Sequence, residues 1–121
     1  MKSLRLYADE DGESHFGETE TTYSPVEYAP PAPAFEVSDR ASATGYVAVR
    51  FPAGWDSEYH PTPRRQLLVM CSGELEGGTS DGTVVLLKAG DTVLMEDTTG
   101  KGHSAKVAGD EEVLALMIHL E

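Results

Sequence analysis

Apolar positions along the chain fall in short runs, and almost nowhere do they recur at the three- and four-residue intervals of an amphipathic helix. The runs are Leu4–Tyr7, His15–Thr22, Gly45–Phe51, Gln66–Cys71, Thr83–Leu87, Thr92–Glu96, Ser104–Val107 and Val113–Leu120. They are rich in β-branched and apolar residues. Between many of them stand turn-forming groups: Pro52-Ala53-Gly54, Ser72-Gly73, Ser80-Asp81-Gly82, Ala89-Gly90-Asp91 and Ala108-Gly109-Asp110. The pattern predicts an all-β fold, arranged as a barrel or a two-sheet sandwich. The last run is apolar on both faces: Val113, Ala115 and Met117 alternate with Leu114, Leu116 and Ile118. A strand of that kind belongs inside a packed sandwich or under a dimer interface.

The segment 24–39 breaks the pattern with Pro25, Pro30, Pro31 and Pro33. Proline donates no ladder bond, so this is no central strand. It reads as an extended crossing connection, with a lid over a pocket as the alternative. The 23 residues before it are too few to fold alone, so residues 1–121 read as a single domain.

The densest chemical signal is the stretch from Gly54 to Gly73. At period two, His60, Thr62, Arg64, Gln66, Leu68 and Met70 share one face, polar at its start and apolar at its end. Such a stripe suits a barrel with a polar mouth and a packed floor. Two adjacent arginines stand out in a chain with only 9 positive residues. Arg64, on the His60 face, would grip a carboxylate or enolate; the alternative is pairing with surface acids. His15 reads as a structural histidine or a pocket-lining one, and His119 as a core, edge or pocket residue. Trp55, Tyr7, Tyr46 and Tyr59 are either pocket walls or core. Thr99-Gly100-Lys101 lacks the earlier glycine of a phosphate loop, and no serine sits in a nucleophile elbow.

Charge narrows the partners. Asp and Glu number 21 and the formal charge is −12, which argues against nucleic acid and anionic membranes as partners. The one cysteine, Cys71, allows no intramolecular disulfide; it points away from the proposed pocket and reads as an inert buried thiol. The opening MKSLRLYADEDG lacks a signal-peptide core, and no apolar stretch approaches membrane-spanning length. A cytoplasmic protein is the expectation.

The spacing of Gly54, His60, Thr62, Gln66 and Gly73 resembles the first motif of the cupin family, which runs Gly, His-x-His, Glu or Gln, then Gly. The stretch from Gly90-Asp91 to His103 is similar to the second, in which a Gly-Asp turn starts a strand leading to one more inward histidine. The resemblance implies a cupin-type β-barrel, the double-stranded β-helix or jelly roll, with its motif core over 45–107. It implies a ligand set in which His60 takes the first histidine position, Gln66 the Glu/Gln position and His103 the last. Thr62 stands where the second histidine belongs, and His103 lies two residues beyond the usual place. A divalent Zn, Fe, Mn or Ni held by His60, Gln66 and His103 would have two strong ligands and one neutral amide, a poorer set than two histidines and a carboxylate. The alternative is a metal-free pocket in which His60 and His103 move protons and Arg64 stabilises negative charge.

Three functions follow from these readings. The first is an enzyme acting on a small polar or carboxylate-bearing molecule, by isomerisation, cyclisation, elimination or metal-assisted chemistry. The second is a non-catalytic ligand-binding or sensing protein. The third is a structural protein with a vestigial site. Thr62 weighs against a metal-dependent dioxygenase. The two-sided apolar strands and the resemblance favour a homodimer.

Overall fold

Every predicted run becomes a strand in the computed structural model, which describes residues 1–121 and contains no helix. In chain order the strands are β1 (Lys2–Ala8), β2 (Ser14–Glu20), β3 (Ser24–Val26), β4 (Phe35–Val37), β5 (Ala43–Phe51), β6 (Gln66–Ser72), β7 (Glu74–Thr79), β8 (Val84–Leu87), β9 (Thr92–Met95), β10 (His103–Ala108) and β11 (Val113–Leu120). Six form one sheet in the order β2-β1-β9-β6-β11-β5, and three form a second in the order β10-β7-β8. The fold is therefore all-β, with two sheets facing each other in the manner of a jelly roll rather than one closed ladder.

Alternation decides what each face carries. Gln66, Leu68 and Met70 of β6 are buried, and register carries that face across the large sheet. One row runs Leu6, Met95, Gln66, His119; the next runs Leu4, Val93, Leu68, Met117. Leu75, Leu87 and Val107 of the small sheet complete the core from the other side. Burial of a leucine or valine in such a layer is worth about 1.5–3 kcal/mol, so this face is firmly specified.

Three strands escape the apolar pattern. β7, Glu-Leu-Glu-Gly-Gly-Thr, carries glycines where a side chain would crowd its neighbours: a Cβ on Gly78 would press the Ser104 hydroxyl, and one on Gly77 would touch Phe16. The proline-rich segment crosses from β2 to β5, which stand at opposite edges of the large sheet. It holds a short antiparallel hairpin, β3–β4, which joins neither main sheet and leaves almost every residue from 22 to 42 exposed. Pro25 fits there because both strands of a two-stranded ribbon are edges. Cys71 is exposed, not buried, because odd positions of β6 point to the uncovered outer face.

Candidate functional site

The turn at Pro52–Gly54 takes the chain out of β5 and across to the small sheet, closed by Trp55 N–H donating to the Pro52 carbonyl at 3.0 Å. The following segment runs beside β10. Val107 N–H donates to the Trp55 carbonyl at 2.9 Å, Ser57 N–H donates to the Ala105 carbonyl at 2.9 Å, and His60 and His103 exchange both backbone bonds at 2.9 Å. Residues paired in this way project to the same side of a ladder. The two imidazoles, distant in sequence, thus stand side by side with ring centroids 4.7 Å apart and planes tilted by 54°.

Gly102 makes the approach possible. Its φ is +75°, and a Cβ there would overlap the His60 carbonyl group. The loop is pinned from below by Ser14, whose hydroxyl donates to the Gly102 carbonyl at 2.7 Å and accepts from Ser80 N–H at 2.8 Å.

Beneath the histidines lies Asp97, wholly buried. Its Oδ2 accepts from His103 Nδ1 at 2.6 Å, and its Oδ1 accepts from the Thr62 hydroxyl at 2.6 Å. Thr62 is 1% exposed and also donates its backbone N–H to the Asp97 carbonyl at 3.0 Å. A carboxylate accepting from Nδ1–H fixes both the orientation and the tautomer of an imidazole, leaving Nε2 with its lone pair. Nε2 of His103 has no protein partner, and the chain seals no polar side-chain atom without one, so this nitrogen opens on the space His103 lines. His60 Nδ1 donates to the Glu58 carbonyl at 2.8 Å, since a carbonyl only accepts, and its Nε2 is likewise left as an acceptor at the rim.

The space is a cavity of about 430 Å³ between the sheets. Its body is apolar, walled by Leu6, Phe16, Phe51, Trp55, Leu68 and Val93 among others; its polar groups are His60, Thr62, Gln66, His103, Ser104 and His119. No Asp, Glu, Lys or Arg lies on the wall.

Of the residues singled out in the sequence, His60, Gln66 and His103 all reach this cavity. Arg64 does not: it is exposed and off the wall. The cause is the bend at Pro63 and Arg64, which breaks the period-two register before β6 begins at Gln66. His119 does reach the wall, opposite Gln66 in register. Trp55 lines the cavity, while Tyr7, Tyr46 and Tyr59 do not. His15 is structural. Its Nε2 meets Asp9 at 2.7 Å and its Nδ1 meets Asp81 at 2.8 Å, and the hydrogen bonds to Asp9 and then Asp81 hold its pKa above the ordinary value.

The donor set does not fit a resident metal. No group of three His, Cys, Asp or Glu side chains in the chain is placed so that it could hold a metal ion. Thr62, at the missing histidine position, turns its hydroxyl to Asp97. The Gln66 amide nitrogen contacts Met117 Sδ at 3.4 Å and Met95 Sδ at 3.8 Å, both weak acceptors. Of the ligand set that the motifs imply there remain two imidazole nitrogens and one amide, short of the three or four strong donors a transition metal needs.

Asp97 and Ser14 are the site residues that sequence patterning overlooks. For Asp97 a signal exists. Val93 and Met95 face inward, so period two places Asp97 inward as well, an unusual position for an acid. Ser14 carries no comparable signal, because its role depends on the approach of a loop far along the chain.

No family model and no curated protein sequence matches the chain. Solved structures similar to it include an RmlC-like cupin protein from Desulfovibrio desulfuricans, 14% identical, covering 97% of this chain and 81% of that one with a TM-score of 0.44. Another is the cupin domain of Cnp3 from Schizosaccharomyces pombe, also 14% identical, covering 99% of this chain and 88% of that one with a TM-score of 0.48. Both are described as cupins, the family its two motif stretches resemble.

Proposed function

We propose that this chain is a small-molecule-binding protein of the cupin type whose ligand is largely apolar, uncharged, and carries a hydroxyl or N–H group at one end. The observation that carries this reading is the pair of Nε2 acceptors, on His60 and His103, at the polar end of an otherwise apolar cavity. Two lone pairs call for a ligand that donates. An anionic group would meet no cation on the wall and a chain of net charge −12, so the carboxylate-bearing substrate expected from Arg64 gives way to a neutral one.

The same geometry supports proton transfer. His103 Nε2 accepts a proton from the bound molecule, and Asp97 stabilises the imidazolium that forms. The proton then returns from His103 Nε2 to a neighbouring atom, so the product is an isomer of the substrate with no atom gained or lost. Against catalysis stands the absence of a positive group to steady developing negative charge, which favours a second reading, binding without chemistry.

The test uses a panel of phenols, alcohols and lactams beside matching carboxylates, read by thermal shift and calorimetry. Neutral donors are expected to stabilise wild type and to lose that effect in His103→Phe. Stabilisation by carboxylates alone overturns the reading. Incubating a bound ligand in D2O separates the two versions: deuterium entering at carbon, lost in His103→Phe, supports proton transfer, and no exchange supports binding alone.

A further inference from the structure

Gln66 opens β6 and is only 4% exposed, yet the chain gives its carboxamide no strong partner. The amide nitrogen meets two thioether sulfurs, Met117 Sδ at 3.4 Å and Met95 Sδ at 3.8 Å. A thioether only accepts, and weakly, so the nitrogen end of the amide belongs there and Oε1 turns the other way. Oε1 bonds to no group of the chain. No buried polar side-chain atom is sealed without a partner, so this oxygen opens on the cavity that Gln66 lines. Glutamine mostly stays at the surface, and burying an amide costs free energy unless its hydrogen bonds are made. Packing alone would favour an apolar residue here, as at Leu68 and Met70 further along the same face. An amide held in this state awaits a partner from outside the chain.

His119 stands opposite Gln66 in the register of β6 and β11, and lines the same wall. It is half-buried, and its ring also bonds to nothing in the chain. A neutral imidazole offers one donor and one acceptor. The complement of this pair follows from its atoms. Oε1 of Gln66 takes a donor, and Nε2–H gains by exchanging a sulfur for a carbonyl oxygen. The group that supplies a donor and a carbonyl side by side is another amide. A lone hydroxyl meets only one of the two in good geometry. A carboxylate brings no donor for Oε1 and finds no cation on the wall. A primary carboxamide keeps one further N–H, and His119 is the acceptor beside it.

We propose that Gln66 and His119 form an amide-recognising subsite of the cavity. The ligand is then a neutral molecule in which the donor that meets His60 and His103 is joined to a carboxamide or lactam edge that pairs with Gln66. This rests on the neutral-donor reading of the cavity and extends it to a second group on the same ligand.

Calorimetry of meta- and para-hydroxybenzamide beside meta- and para-cresol tests the subsite. The phenolic hydroxyl serves His60 and His103 in every case, and only the benzamides carry the amide. The ratio of benzamide to cresol affinity, at whichever spacing binds tighter, is compared between wild type and variants, which cancels the different hydration of the ligands. That ratio should fall about tenfold or more in Gln66→Met, which removes both hydrogen bonds to the amide, and less steeply in His119→Phe. Wild type alone gives a second measure: the Gln66 side-chain N–H2 signals in NMR should move on saturation with the benzamide and far less with the cresol. A ratio unchanged in either variant, or Gln66 signals that stay still under saturating benzamide, overturns the subsite. If cresols still bind and still need His103, the subsite alone falls; if cresols fail to bind as well, the neutral-donor reading falls with it.

Discussion

Replacing Asp97 with alanine removes the acceptor of two buried hydrogen bonds at once. His103 Nδ1–H and the Thr62 hydroxyl each lie 2.6 Å from a carboxylate oxygen, and neither has another partner within reach. Both donors belong to buried residues, Thr62 being 1% and His103 8% exposed. A buried donor stripped of its acceptor costs about 1–3 kcal/mol, so the pair predicts a loss of roughly 2–6 kcal/mol. Against a native stability of roughly 5–15 kcal/mol that is a large fraction, readable as a lower urea midpoint at unchanged slope. The cause is tested by a cycle with His103→Phe, which removes one of the stranded donors. Removing both members of a buried pair costs less than stranding one, so the double variant should be more stable than the sum of the singles predicts, by about 1–3 kcal/mol. An Asp97→Ala variant within about 0.5 kcal/mol of wild type, the range of an ordinary surface change, would refute the reasoning.

Gly102→Ala forces a Cβ onto the His60 carbonyl at a positive φ, and should cost about 1–3 kcal/mol in urea unfolding while shifting the imidazole NMR signals of both His60 and His103. His15, whose pKa is raised by Asp9 and Asp81, stabilises the fold fully below the ordinary imidazole value and progressively less as pH rises through its own raised value; His15→Ala should remove that pH dependence near and above neutrality. Protein purified without a histidine tag should contain no stoichiometric transition metal by elemental analysis, and His60→Ala and His103→Ala should leave the content unchanged.

Much of this fold is legible because alternation and burial act on the same residues. The parity that puts Leu68 and Met70 inside also puts Gln66 there, and the run from Val113 shows its two apolar faces directly in its letters. Legibility fails where another force outweighs the pattern. β7 is absent from the predicted runs because its glycines serve close approach to Phe16 and Ser104, which the sequence does not announce. The β3–β4 hairpin is hidden by prolines that exclude a central strand but not a free ribbon. Arg64 is misplaced by extending period two through Pro63, where the chain bends. At the site, His60 and His103 are visible by residue type and motif, whereas Asp97 lies just past the run Thr92–Glu96 and goes unmarked until the inward parity of Val93 and Met95 is carried two residues further.

The central claim is that His60 and His103 present two unprotonated Nε2 atoms to one apolar cavity, His103 being held so by Asp97. Long-range nitrogen–proton NMR of the imidazoles, taken above their titration range with and without a saturating neutral phenol, measures this directly. Both rings are predicted to be Nδ1–H tautomers, and both Nε2 signals should move on adding the phenol while His15 stays still. An Nε2–H tautomer at His103, or a phenol that saturates without moving either Nε2, would contradict it.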